Sequence, residues 1–179
     1  MPKNIVQKAE EEIMKGRSHQ EIFNEIMVHT VHDKHKVAEA IRKIPTPLKR
    51  KKFRELNFFL VFLMSCVLLA NLWSVVDSRF EFFPFAAIAV SVFLIYMCVK
   101  FKPNGHLISG IFMSVSLLRG FVYLNTGSLT VSIPFIITVI AAAAIAFYLA
   151  LKLPADYRMD KELLKENPEQ RENSLIFTE

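Results

Sequence analysis

Cysteine, glycine and tryptophan are scarce in this chain of 179 residues: two, five and one respectively. Cys66 and Cys98 both sit inside apolar runs, so they make no disulfide framework and read as packing residues. A small cross-linked secreted scaffold is thereby excluded. Charge is scarce in one long region. Between residues 57 and 151 the only charged side chains are Arg79, Lys100, Lys102, Arg119, Asp77 and Glu81. Signatures of catalysis are missing as well. There is no phosphate-binding loop, no G-x-S-x-G, no CxxC, no H-E-x-x-H and no pair of carboxylates within an apolar run. The expectation is a protein that is not an enzyme and that carries no cofactor and no metal. No apolar run precedes residue 57 and neither end carries a lipidation motif, so the first long apolar run is expected to act as the insertion signal.

What is present is apolar and segregated. Hydrophobic residues make up 53% of the chain, 16 of them Phe, above the 45–50% usual for a soluble domain. Residues 1–56 hold 13 Lys/Arg against 8 Asp/Glu, and residues 152–179 hold 5 against 7. A water-soluble globule and a disordered chain both fail on this distribution. Four segments reach the roughly 20 apolar residues a bilayer requires, near 58–76, 80–101, 107–124 and 133–153. None alternates polar with apolar as barrel strands do, so they predict helices. Pro84 and Pro134 are placed at helix starts, Ser132 as an N-cap, and Pro103-Asn104-Gly105 as a turn. The second and fourth segments each enter by Pro and leave by Lys and Pro, an echo that unrelated helices also produce.

Basic residues fix the expected orientation. Lys49, Arg50, Lys51, Lys52 and Arg54 lie directly before the first span, Lys100 and Lys102 between the second and third, and Lys152 after the fourth. All fall on one side if both termini are cytoplasmic. The prediction is an all-α, polytopic integral membrane protein of four transmembrane helices, with the bacterial inner membrane as its setting. Residues 1–48 form a cytoplasmic three-helix head, 49–56 a basic juxtamembrane linker, 57–153 the transmembrane bundle and 154–179 a polar cytoplasmic tail. The five basic residues from Lys49 to Arg54 also form a patch for anionic lipid, worth about 1 kcal/mol per residue near the surface.

In the head, Ile5, Val6, Ala9, Ile13 and Met14 recur at helical spacing, and Gly16 suits a C-cap. Ser18-His19-Gln20-Glu21 reads as a capping box opening a second helix with Ile22, Phe23, Ile26 and Met27 on one stripe. A third begins near Asp33 and carries Val37, Ala38, Ile41 and Ile44. A helix-turn-helix DNA binder shares this outline, but the third helix mixes Lys34, Lys36, Arg42 and Lys43 with Asp33 and Glu39, and no nucleic acid is expected. His29, His32 and His35 read as solvated loop residues rather than ligands. In the tail, residues 160–165 suggest a helical turn or two, and Leu175-Ile176-Phe177 is an apolar cluster expected to fray.

Arg119 stands out in the third span, where a central cation costs about 2.5–3.5 kcal/mol on insertion scales. It lies about 8 Å from the outer end by helical rise, close enough to reach the interface. Asp77 and Glu81 are its candidate ion-pair partners. Ser109, Ser116, Gly120 and Tyr123 share its face, while Gly110 and Ser114 form a small-residue pair on another. Asn71 lies deep in the first span, whereas Asn57 sits at its edge and asks for no explanation. Three functional expectations follow, in descending order: a membrane-embedded interaction, sensor or effector subunit with membrane lipids, a cytoplasmic protein partner and its own copies as partners; an oligomeric pore or small transporter using the polar face around Arg119; and a membrane-tethered helix-turn-helix DNA binder.

Overall fold

The structure, a computed structural model, describes residues 3–29, 34–77, 82–102, 104–125, 129–159 and 175–178. These are overwhelmingly helical. In chain order they form α1 (Lys3–Met14), α2 (His19–His29), α3 (Lys34–Arg42), α4 (Pro47–Lys52), α5 (Arg54–Asp77), α6 (Phe82–Val99), α7 (Gly105–Asn125) and α8 (Leu129–Lys152), followed by the strands β1 (Asp156–Met159) and β2 (Leu175–Thr178). The chain folds as two compact units. One joins Met1–Lys51 to Lys152–Glu179, and the other is Lys52–Leu151.

The first unit is the head, and its helices end where local chemistry ends them. Gly16 closes α1 in the left-handed region at φ +97, with Gly16 N donating to Ile13 O at 3.0 Å and Arg17 N to Glu12 O at 3.2 Å. Those two bonds satisfy carbonyls that the helix end would otherwise leave open. Ser18 Oγ accepts the Glu21 backbone N–H at 3.2 Å and opens α2. Thr46 Oγ1 does the same for α4, accepting from Lys49 N at 3.3 Å. The core consists of Ala9, Ile13, Ile22, Phe23, Val37, Ala38, Ile41 and Ile44, with Ala155 and Phe177.

Those last two residues correct the expectation of a loose tail. β1 and β2 pair antiparallel, Tyr157 opposite Phe177. Ala155 N donates to Arg42 O at 2.9 Å, and Lys49 Nζ to Pro154 O at 2.7 Å. An aromatic residue buried against a helical core offsets the entropy of ordering this short ribbon, which could not hold alone. The tail is therefore part of the head rather than a separate segment. The basic linker is corrected too: residues 47–52 are helical, and α5 begins at Arg54. The helical turns expected over 160–165 lie outside the described residues.

The second unit is built from α5–α8. α5 lies along α6, and α6 turns back into α7. Each helix buries a narrow stripe at three- and four-residue spacing: Asn57, Leu60, Met64, Val67 and Asn71 on α5; Ser91, Leu94 and Cys98 on α6; His106, Ser109 and Met113 on α7; Val139, Ala142, Ala146 and Leu149 on α8. A Cβ at Gly110 would stand 3.0 Å from the Phe147 ring, so the missing side chain is what seats α8 against α7.

Two helices, α5 and α8, contain stretches long and apolar enough to cross a membrane, Arg54–Trp73 and Ile133–Lys152. α6 and α7 are apolar over shorter described stretches, Phe85–Val99 and Gly105–Leu118. α8 starts at Leu129, so Ser132 is not its cap and Pro134 lies inside it. Proline's missing N–H then removes the bond to the Thr130 carbonyl, close enough to the helix start for the turn to survive. Pro84, by contrast, is the third residue of α6.

Candidate functional site

The polar groups gathered inside the second unit centre on Asn57. Its side chain is only 5% exposed, and it bridges two other helices. Asn57 Nδ2 donates to Cys98 O at 3.1 Å, at the end of α6. His106 Nε2 meets Asn57 Oδ1 at 2.7 Å, at the start of α7. Since an amide oxygen only accepts, that imidazole nitrogen carries the proton. Cys98 Sγ lies 3.3 Å from Ser109 Oγ, and both groups are buried. One asparagine thus ties the start of α5 to the hairpin of α6 and α7.

The hairpin it grips has a strained turn. Phe101 occupies the left-handed region at φ +50, where L side chains other than Gly and Asn are costly. Phe101 N donates to Cys98 O at 3.0 Å and Lys102 N to Met97 O at 2.9 Å, the same pair of bonds that Gly16 supports in α1. The Phe101 ring lies 5.9 Å from the His106 ring, and Asn104 is left-handed as well, at φ +64. Of the expected Pro-Asn-Gly turn, Pro103 lies outside the described residues, while Asn104 and Gly105 stand directly before and at the start of α7. Gly105 suits its position, because a Cβ there would lie 3.0 Å from Met97 Cβ.

These contacts set the polarity of the unit. Asn57 brings the start of α5, the end of α6 and the start of α7 to one end. Phe53 and Tyr148, in edge contact at 6.2 Å, bring the end of α8 there too. Lys52, Arg54, Lys100 and Lys102 belong to the same end. Lys52 and Arg54 are exposed, and Lys52 Nζ sits 5.7 Å over the Phe53 ring.

The basic run divides on inspection. Arg50 is turned to the head, donating to Glu10 Oε1 at 3.3 Å and to Pro45 O at 3.2 Å. Lys49 holds Pro154 O. Lys51, Lys52 and Arg54 face outward. Three of the five residues are therefore exposed, and two brace the fold.

Of the polar face expected on α7, Ser109 is buried against Cys98, and Ser116 spends its hydroxyl on its own helix at Phe112 O, 2.9 Å away. Arg119, Gly120 and Tyr123 lie on α7, with side chains outside the described residues, as is that of Asp77 at the end of α5. Glu81 is likewise outside. Asn71 is buried on α5. Among the histidines, His35 is exposed on α3, and His29 and His32 are outside the described side chains. His19 is the one the sequence misjudged by omission: it is fully buried, its Nε2 2.8 Å from Ile44 O. Among the described residues no group of three His, Cys, Asp or Glu side chains is arranged to hold a metal ion.

Sequence reasoning passed over Asn57 and His106. The signal was available in part, because Asn57 shares the three-four stripe of Leu60, Met64, Val67 and Asn71. No family model, no curated protein and no solved structure matches the chain.

Proposed function

We propose that this protein is a membrane-embedded interaction subunit. α5–α8 cross the bilayer as a four-helix bundle, and the head stands on the cytoplasmic side to bind a protein partner. The observation that carries this reading is the outer surface of the second unit. Large apolar side chains are exposed on all four of its helices: Phe58 and Trp73 at 75% and 77%, Phe93 and Tyr96 on α6, Ile111, Val115 and Leu118 on α7, Ile137 and Leu151 on α8. Soluble monomers rarely expose contiguous apolar patches above a few hundred Å². Hydrocarbon is the solvent that such a surface fits. α6 and α7 measure about 27 and 31 Å by helical rise, close to the thickness of a bilayer core.

One described end of the unit gathers basic residues, which supports reading it as the cytoplasmic one. Lys52, Arg54, Lys100 and Lys102 lie there, and an excess of Lys/Arg is what holds loops inside. Among the described residues, the interior polar groups favour anchoring over transport. Asn57, His106, Cys98 and Ser109 are spent on one another and on backbone, and a conducting path needs polar groups that remain available to cargo. The protein acts without catalysis, through its head and through contacts with its own copies.

Two measurements test the proposal. The full chain stays in the membrane fraction through alkaline carbonate extraction, and in proteoliposomes it passes no ions. Capture with the full chain recovers a cytoplasmic protein that a chain lacking residues 1–45 does not. Release by carbonate contradicts the anchoring. Ion flux abolished by Arg119→Ala supports the pore instead.

A further inference from the structure

The described charged side chains of the second unit gather at one end of it. Lys52, Arg54 and Lys100 are exposed there, Lys102 is half-buried, and Glu55 is the acidic side chain among them. Asn57 fixes the level at which these groups stand. Its Nδ2 donates to Cys98 O at 3.1 Å, and its backbone N–H donates to Phe53 O at 2.9 Å. Arg54 precedes Asn57 by one turn of α5, and Lys100 follows Cys98 at the end of α6, so each lies only about 3–5 Å of helical rise beyond that bond. Cations distant in the chain thus stand at one level on neighbouring helices. Further along both helices the exposed residues become apolar: Phe58, Phe59 and Phe62 on α5, and Val99, Tyr96 and Phe93 on α6. Phe58 is about 6 Å of rise from Arg54. Tyr96 carries the apolar ring and polar tip that suit a membrane interface.

We propose that Lys52, Arg54 and Lys100 form a headgroup site for an anionic phospholipid whose acyl chains lie along the exposed apolar side chains of α5 and α6. This rests on reading the second unit as membrane-spanning, and it names the lipid class that the unit prefers. The order of environments is that of the lipid itself: phosphate at the cations, then the interfacial level of Tyr96, then hydrocarbon. The Arg54 guanidinium offers a planar fork for two phosphate oxygens, and the two ammonium groups add compact charge. Lys52 Nζ stands 5.7 Å over the Phe53 ring, a contact that favours holding it beside the apolar surface. Glu55 lowers the field but leaves the patch cationic. A zwitterionic headgroup brings its own cation and is repelled, whereas phosphatidylglycerol brings none. Each basic residue near an anionic surface raises association about fivefold.

The test uses the full chain in a neutral maltoside detergent. Phosphatidylglycerol with a fluorescent label on one acyl chain is the probe, phosphatidylcholine with the same label is the reference, and anisotropy reads binding. Phosphatidylglycerol is expected to bind at least about tenfold more tightly. Arg54→Gln and Lys100→Gln each lower that preference by up to about fivefold, and the two together with Lys52→Gln bring it within about twofold of the reference. Lys100→Gln is the decisive single variant, because a patch made by the basic run before α5 alone would ignore it. Asn57→Ala keeps every charge but frees α5 from Cys98 O, and the preference falls several-fold. Raising the salt from about 0.05 M to about 0.5 M weakens phosphatidylglycerol binding to the unmodified chain and spares phosphatidylcholine. That arm needs no variant to fold.

Equal binding of the two lipids, or a preference that salt leaves unchanged, overturns the proposal. So does an unaltered preference in Lys100→Gln. Displacement of the labelled lipid by an equal concentration of inorganic phosphate would make this a site for free anions instead. Loss of the captured cytoplasmic protein in the triple variant, with the lipid preference intact, would give the patch to that protein. Equal lipid binding by a chain that resists carbonate extraction removes the headgroup site alone. Release by carbonate removes the wider reading.

Discussion

The head and the apolar unit differ in how many polar groups they bury and in what they leave outside. In the head the hidden side chains are Ile13, Ile22, Phe23, Ile41 and Ile44, and the surface carries ion pairs such as Arg17 with Glu25 at 2.8 Å. In the apolar unit the hidden stripes include Asn57, Asn71, Ser91, His106, Ser109 and three alanines, while Phe58, Leu69, Trp73, Phe93 and Leu118 point out. Both use the same helical spacing. On the proposed reading, what differs is the solvent each answers to. Water drives large apolar groups inward in the head. Hydrocarbon around the second unit, as proposed, would give no such drive, so close approach and internal hydrogen bonds would decide what faces in.

That contrast is easiest to break by truncating apolar residues in each unit. Ile41→Ala in the head core costs about 2–5 kcal/mol, a large share of what a domain this small can hold. Leu69→Ala, on the outer face of α5, costs under about 0.5 kcal/mol in a bilayer. Chemical denaturation in nanodiscs, followed by methyl resonances in each unit, measures both. Equal losses would mean the two units share one solvent.

Polar deletion should act in the reverse sense. Asn57→Ala leaves the His106 nitrogen without its acceptor and Cys98 O without one donor, a loss of about 1–3 kcal/mol. Gln20→Ala in the head costs less, because Gln20 is not fully buried and water can replace it. The same denaturation experiment compares them, and a larger loss at Gln20 would contradict the polar-core assignment.

The two left-handed helix ends sharpen the comparison further. Gly16→Ala meets no atom within 4 Å, so its cost of about 1 kcal/mol is backbone strain alone. Phe101→Gly changes stability less, since the strain it removes is offset by the lost ring contact with His106. A larger change at Phe101 than at Gly16 would show that the ring contact, not the backbone, dominates there.

The smallest effect is electrostatic. The hydrogen bond from Lys15 holds the Glu12 carboxyl below its ordinary 4.5, and that from Arg17 does the same for Glu25. A carboxyl with a lowered folded-state value binds fewer protons when native, so its contribution is complete above about pH 4.5. It fades as the pH falls through the lowered values. Acid titration of the Ile13 methyl signal should show the head loosening below pH 4.5, and Arg17→Ala should shrink that dependence. Loosening on raising the pH instead would reverse the sign and refute it.

The parts legible in the sequence are those set by near neighbours. Ser18 and Gly16 announce the junction of α1 and α2 because caps act over three or four residues. The charge-poor stretches announce α5 and α8 because composition alone makes them apolar. Asn57 and His106 escaped because their bond spans 49 positions, and nothing local in a single asparagine tells a buried bridge from a solvated edge. Phe101 escaped because its left-handed backbone is where glycine is expected. The tail escaped because two strands of four residues are too short to show alternation, and only the pocket between His19 and Phe23 explains why Phe177 is held. Arg119, the most conspicuous residue of the sequence, remains an expectation of the polar face of α7.

The central claim, four crossings with both ends inside, is tested most directly by which face of a sealed membrane each junction meets. In chains free of Cys66 and Cys98, single cysteines are placed by Ser78→Cys, Asn104→Cys, Thr126→Cys and Asn173→Cys and exposed to an impermeant maleimide. The account predicts that the cysteines at 78 and 126 react only from the outer face, and those at 104 and 173 only from the cytoplasmic face. Labelling of 104 from the outside, or of all four from one side, would contradict it.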